Sequence, residues 1–123
     1  MKKKIITIEN GVVSVPASTE IRMTISEIAD LFGIYYQMVK RHIRSIEKSG
    51  IAGGDEKMSC TVEGMKIYPD YYGLEMIIAI AFRVQSHNAG IFREWLIRKV
   101  VTVANASEMK ILICREWNNI SLN

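Results

Sequence analysis

The sequence predicts an α+β domain, and three observations predict it. Two β-branched runs near the N-terminus flank an Asn10-Gly11 pair, two more short runs within 58–68 flank Glu63-Gly64, and apolar residues recur at helical spacing over 25–50 and from 74 onward. A length of 123 residues suits one domain. With 49% apolar and 24% charged residues, the composition is that of a globular chain, and it excludes disorder, a collagen and a disulfide-rich scaffold. The longest apolar run, Met76 to Phe82, is closed by Arg83 well short of a bilayer span, so no membrane association is expected. The Met1-Lys2-Lys3-Lys4 start resembles the basic end of a signal peptide, but Glu9 and Asn10 interrupt any apolar stretch that would follow. Cys60 and Cys114 stand far apart in sequence without a CxxC or a histidine pair. A reducing cytoplasm fits this usage.

Each element has a local cause. Ile5-Ile6-Thr7-Ile8 and Val12-Val13-Ser14-Val15 flank Asn10-Gly11, whose tolerance of positive φ predicts a hairpin within 1–16, stopped by Pro16. Thr24-Ile25-Ser26-Glu27 places a threonine three residues before a glutamate, the capping-box pattern, so a two-turn helix begins near Ile25 and ends at Gly33. Met38, Val39, His42, Ile43 and Ile46 then mark the apolar side of a second helix, and Ser49-Gly50 closes it. Residues 51–57 read as a loop. Met58–Val62 and Met65–Tyr68 read as a second hairpin turning at Glu63-Gly64. Leu74–Val84 is apolar nearly all round and predicts a buried helix, and Ile91, Phe92, Trp95, Leu96 and Val100 predict an amphipathic one. Met109, Leu112, Ile113, Trp117 and Ile120 predict a last helix over 107–120.

The net charge of +3 is local. Residues 1–34 carry four cations and four anions, residues 51–123 eight and eight, and the excess falls in 35–50, where Lys40, Arg41, Arg44 and Lys48 face Glu47 alone. A basic segment in a balanced chain is a candidate phosphate-binding surface. Two short helices joined by a tight glycine turn, the second one basic, form a helix-turn-helix pattern. Ala29 supplies the small residue where the helices touch, Gly33 the positive φ four residues later, Ile34 the apolar residue that follows, and Val39 the β-branched residue packing back. Gly33 to Arg41 is similar to the turn and recognition helix of lac-repressor-type regulators, with Tyr35 where those motifs usually carry a capping serine. In such a helix Tyr35, Tyr36 and Gln37 stand at the end that enters the major groove. Gln37 suits bidentate pairing with adenine and Tyr36 a phosphate or base edge, Arg41 suits guanine or phosphate, and Lys40, Arg44 and Lys48 suit the backbone. The plainer reading of the same charges is a solvated face on a surface helix.

No constellation of catalytic, metal-binding or cofactor-binding residues is present. His42 and His87 lack an Asp, Cys or second His at ligand or triad spacing. Cys60 and Cys114 lie in apolar surroundings and read as buried, inert thiols. Asp55-Glu56 falls in a glycine loop and reads as solvated. Neither an enzyme nor a metalloprotein is expected.

Tyr71-Tyr72-Gly73-Leu74, Ile77-Ile78, Arg83-Val84-Gln85-Ser86 and then Phe92-Arg93-Glu94-Trp95 resemble the RhuM-type virulence-associated family. Its members open with a helix-turn-helix and continue with a Tyr-Tyr-x-Leu-x-x-Ile-Ile segment, Arg-Val-x-Ser, and Phe-Arg-x-Trp. The resemblance spans about residues 23–101 and departs at Ala81, where a glycine is common. It implies a bacterial or mobile-element DNA-binding protein related to phage antirepressor modules. Arg83, Arg93 and Trp95 have two readings within this segment: arginines satisfying helix-end carbonyls or acids beside a core tryptophan, or a second surface for a protein or nucleic-acid partner.

Together these readings predict a winged-helix-like helix-turn-helix domain with an N-terminal β-hairpin and additional C-terminal helices. The 58–68 hairpin would be a wing contributing Lys57 and Lys66. The expected function is sequence-specific binding of double-stranded DNA in transcription regulation, with a homodimer joined through 74–84 and 109–120. The alternative is a protein-interaction module, an antirepressor or adaptor that keeps the helix-turn-helix shape without reading DNA.

Overall fold

Asn10 and Gly11 adopt left-handed backbone conformations, with φ of 51° and 76°, and so close a two-residue primed turn between β1 (Thr7–Glu9) and β2 (Val12–Ser14). The computed structural model describes residues 5–17, 20–54 and 60–103. The strands pair antiparallel with Ile8 opposite Val13, and Ile6, just ahead of β1, is buried.

Helix α1 (Ile25–Phe32) starts on the expected capping box. The Glu27 amide donates to Thr24 Oγ1 at 3.2 Å and the Thr24 amide to Glu27 Oε1 at 2.9 Å, an arrangement worth about 1 kcal/mol. The helix ends because Gly33 takes φ 65°, which lets its amide return to Asp30 and the Ile34 amide to the Ala29 carbonyl, a Schellman closure. Helix α2 (Tyr36–Ser49) follows and is ended by Gly50 at φ 76°. Ile28, Ala29, Leu31 and Phe32 of α1 and Val39, Ile43 and Ile46 of α2 are all buried, so the two helices are joined through these faces.

Strands β3 (Cys60–Glu63) and β4 (Lys66–Pro69) form the second hairpin, with Glu63 opposite Lys66. Its turn is centred on Gly64-Met65, one residue later than the sequence suggests, because Gly64 supplies the positive φ (62°) needed at the first central position of a II′ turn. All of β3 is exposed, which corrects the expectation that Cys60 is a buried thiol: among the described residues no third strand joins this two-stranded sheet. Cys114 lies outside the described residues. At the other end the hairpin is tied to the body, for a Cβ on Gly54 would run into the Pro69 ring.

An antiparallel bridge between Met23 and Tyr72 (amide to carbonyl 3.1 and 2.8 Å) holds together the chain entering α1 and the chain entering α3 (Leu74–Ala81). Met76, Ile77, Ile80 and Ala81 of α3 are buried within the protomer. Phe82, at the end of the same apolar run, is 51% exposed, and Leu74 and Ile78 are half-buried. Helix α3 is also shorter than the apolar run suggests. The Arg83 amide tightens onto the Ile80 carbonyl at 2.9 Å, and the Arg93 guanidinium donates to the carbonyls of Ala81 and Val84 at 2.6 and 2.7 Å. Ser86 Oγ then accepts from the Ala89 amide at 3.1 Å and starts α4 (His87–Val103).

The described fold is α+β, with four helices and two small antiparallel hairpins. The chain divides into two compact units, Met1–Arg93 and Glu94–Asn123. In the second, Arg98 pairs with Glu94 at 3.3 Å and the Lys99 ammonium lies 5.9 Å from the Trp95 ring centre. The predicted helix over 107–120 lies outside the described residues. Among the described residues no helix is long and apolar enough to cross a membrane.

Candidate nucleic-acid interface

Helix α2 is oriented by its apolar stripe, and its charges follow from that orientation. At about 100° per residue, Lys40, Arg44, Gln37, Lys48 and Arg41 lie in that order across an arc of about 100°, opposite the buried Ile46 and Val39. Tyr35, Gln37, Lys40, Arg41, Arg44, Ser45 and Lys48 line one open depression. Six of the nine residues that the sequence suggests for DNA contact therefore share a surface. Among the described residues none of the four cations is held in an ion pair. Cations with no ion pair among the described residues leave that surface open to an anion, because a bound phosphate displaces none of the described carboxylates.

The N-terminal end of α2 is unusual. Tyr35 occupies the capping position in extended conformation and makes no side-chain capping bond. Tyr35 is 81% exposed and the next residue, Tyr36, 44%, so two tyrosines open to solvent stand at the start of the helix. Tyr36 faces a second cleft of about 960 Å³ between α2 and the β3–β4 hairpin. Lys40, Arg44 and Lys48 line one wall of it, and Thr61, Glu63, Tyr68 and Asp70 another. Of the expected wing contacts, Lys66 is placed in β4 but its side chain, like all of Lys57, lies outside the described residues. What the described part of the hairpin brings to the cleft is acidic.

Arg83 and Arg93 are held by different partners. Arg93 is half-buried, with its guanidinium on the carbonyls that end α3. Trp95 is half-buried beside Lys99 in the second unit. Arg83 instead reaches α2, where its Nη1 donates to Ser45 Oγ at 2.9 Å. Ser45 carries no charge or motif signal in the sequence, and only its position one turn beyond Arg41 could have marked it.

His42 sits at the border of the same face. Partial burial, then the positive charges of Arg41 and Arg83, hold its pKa below the ordinary 6.5. The unfolded chain therefore takes up a proton near pH 6.5 that the folded chain resists. Stability is expected to fall as pH drops through that value towards the folded pKa, and to be unaffected above it. Urea midpoints compared at about pH 7.5 and about pH 5.5 check this, and His42→Gln should flatten the difference. Tyr72, behind the cleft, is pushed up to about 12, mainly by burial and then by Glu47, Tyr36 and Asp70, so it stays neutral.

Among the described residues no group of His, Cys, Asp or Glu is placed to hold a metal ion. Compared with known proteins, the chain matches no family model, no curated protein and no solved structure.

Proposed function

We propose that this chain binds duplex DNA sequence-specifically, using α1, the turn at Gly33 and α2 as a helix-turn-helix within a winged-helix-like domain. The observation that carries the proposal is the outer face of α2, where Lys40, Arg41, Arg44 and Lys48 surround Gln37 with no ion pair among the described residues, while Val39, Ile43 and Ile46 fix the helix in the core. At 14 residues α2 is about 21 Å long, enough to lie in a major groove with its first turn against base edges. Gln37 then reads adenine, Tyr35 and Tyr36 border the bases, and the four cations meet phosphates. A regulator of transcription in a bacterium or mobile element, acting in the cytoplasm as a homodimer, is the role that fits this reading. The resemblance of residues 23–101 to the RhuM-type family is part of the same proposal.

Selection of bound sequences from a random duplex pool tests it. The expected result is one enriched consensus, repeated about a two-fold axis, with affinity that falls steeply as salt rises. Failure to bind any duplex at low salt overturns it. One observation favours a second reading: the uncapped Tyr35, 81% exposed beside Tyr36, is an aromatic patch of the kind that anchors protein partners. An antirepressor-like adaptor would bind through it with little salt dependence.

A further inference from the structure

The basic face of α2 has two flanks of different chemistry. On the hairpin side, Lys40, Arg44 and Lys48 share their cleft with Glu47, Glu63 and Asp70. Asp70 also accepts a hydrogen bond from the Thr61 hydroxyl, which fixes its carboxylate on that wall. A phosphate entering there gains cations and meets carboxylates. On the α3 side the arrangement differs. Arg41 and Ser45 are one turn apart on α2, and the Ser45 hydroxyl accepts the Arg83 guanidinium. The positive charges of Arg41 and Arg83 both act on His42. Among the described residues neither arginine is in an ion pair.

We infer that Arg41, Ser45 and Arg83 form a phosphate site on the α3 side of α2, and that the DNA backbone runs there rather than along the β3–β4 hairpin. The inference rests on the DNA-binding reading and adds a contact from outside the helix-turn-helix. Two arginines can share or bracket a phosphate through paired N–H donors, a geometry that lysine lacks. Arg83 is also preorganised. Its own amide is bonded to the Ile80 carbonyl, and the Arg93 guanidinium grips the carbonyls of Ala81 and Val84 on either side of it in sequence. Little backbone freedom is left to lose when the phosphate arrives.

The test is fluorescence titration of the full chain with a labelled random-sequence duplex over a range of salt. Arg83→Ala is expected to weaken binding about tenfold and to lower the log–log salt slope by about 1. Arg83→Lys should keep the slope and recover part of the affinity. Glu63→Gln combined with Asp70→Asn should change affinity by no more than about twofold, because the backbone does not pass those groups. Should Arg83→Ala fail to fold, Arg83→Gln carries the same expectation, with thermal melting as the control. Wild-type affinity and slope for the Arg83 variants, in a protein that Arg44→Ala still weakens, would overturn the inference and leave the DNA-binding reading intact. So would tightening of about tenfold or more by the double carboxylate change. Absence of binding by the wild-type chain would sink both.

Discussion

Replacing Arg41 and Arg44 together by alanine is expected to weaken duplex binding about a hundredfold at moderate salt and to lower the salt slope by about 2. Each arginine is exposed on α2, and neither is paired among the described residues, so removing it leaves no internal charge stranded. The loss therefore reports counterion release and not a folding defect. Helix content should stay unchanged, since both positions lie opposite the buried Val39 and Ile46, and arginine and alanine are both good helix formers. Gln37→Ala is the matched control. It is expected to leave the slope alone and to relax preference at one base position by about 1–3 kcal/mol. A double arginine variant that binds as wild type would refute α2 as the DNA-contacting element, whatever the rest of the molecule does.

The second large effect is on stability. Phe92→Ala is expected to cost about 4 kcal/mol, read from chemical denaturation, with Phe92→Leu costing much less. Phe32 and Phe92 are both fully buried, with ring centres 5.8 Å apart and planes at 68°, an edge-to-face pair that joins α1 to α4. The same junction is fastened by the Asn88 side-chain amide, which donates to the Leu31 carbonyl at 2.9 Å. Removing one ring leaves a cavity that two helices cannot both collapse into. For a domain whose whole stability is of order 5–15 kcal/mol, that loss leaves little margin at body temperature. The α1–α2 pair would unfold, the proposed duplex binding would be lost with it, and an added stabilising osmolyte should restore both. A mutant as stable as wild type would show that α4 is not part of the core supporting α1.

The parts of the fold legible in the sequence are those that neighbouring residues decide. Asn10-Gly11, the Thr24–Glu27 box, Gly33 and Gly50 behave as their chemistry requires, because a positive φ or a capping hydroxyl acts within five residues. The stripe of Val39, Ile43 and Ile46 likewise fixes which side of α2 is wet, and with it the shared surface of Gln37, Lys40, Arg41, Arg44 and Lys48. Where local signals are weaker, the tertiary context decides the outcome. The second hairpin turns one residue later, Cys60 is exposed on a sheet of two strands, and the apolar run from Leu74 breaks at Ala81. Apolar character states that a segment wants burial; it does not state where a helix stops.

What this sequence determined by itself is therefore the set of turns and caps and the polarity of α2, hence the existence of a basic face. Only the tertiary structure decided what borders that face. Arg83 reaches Ser45 across 38 residues, Arg93 closes the end of α3 from α4, and Glu63 and Asp70 are brought to the opposite flank. Such contacts join side chains whose separation is set by the packing of whole elements. Periodicity and spacing, which describe a residue against its own helix or strand, carry no record of them.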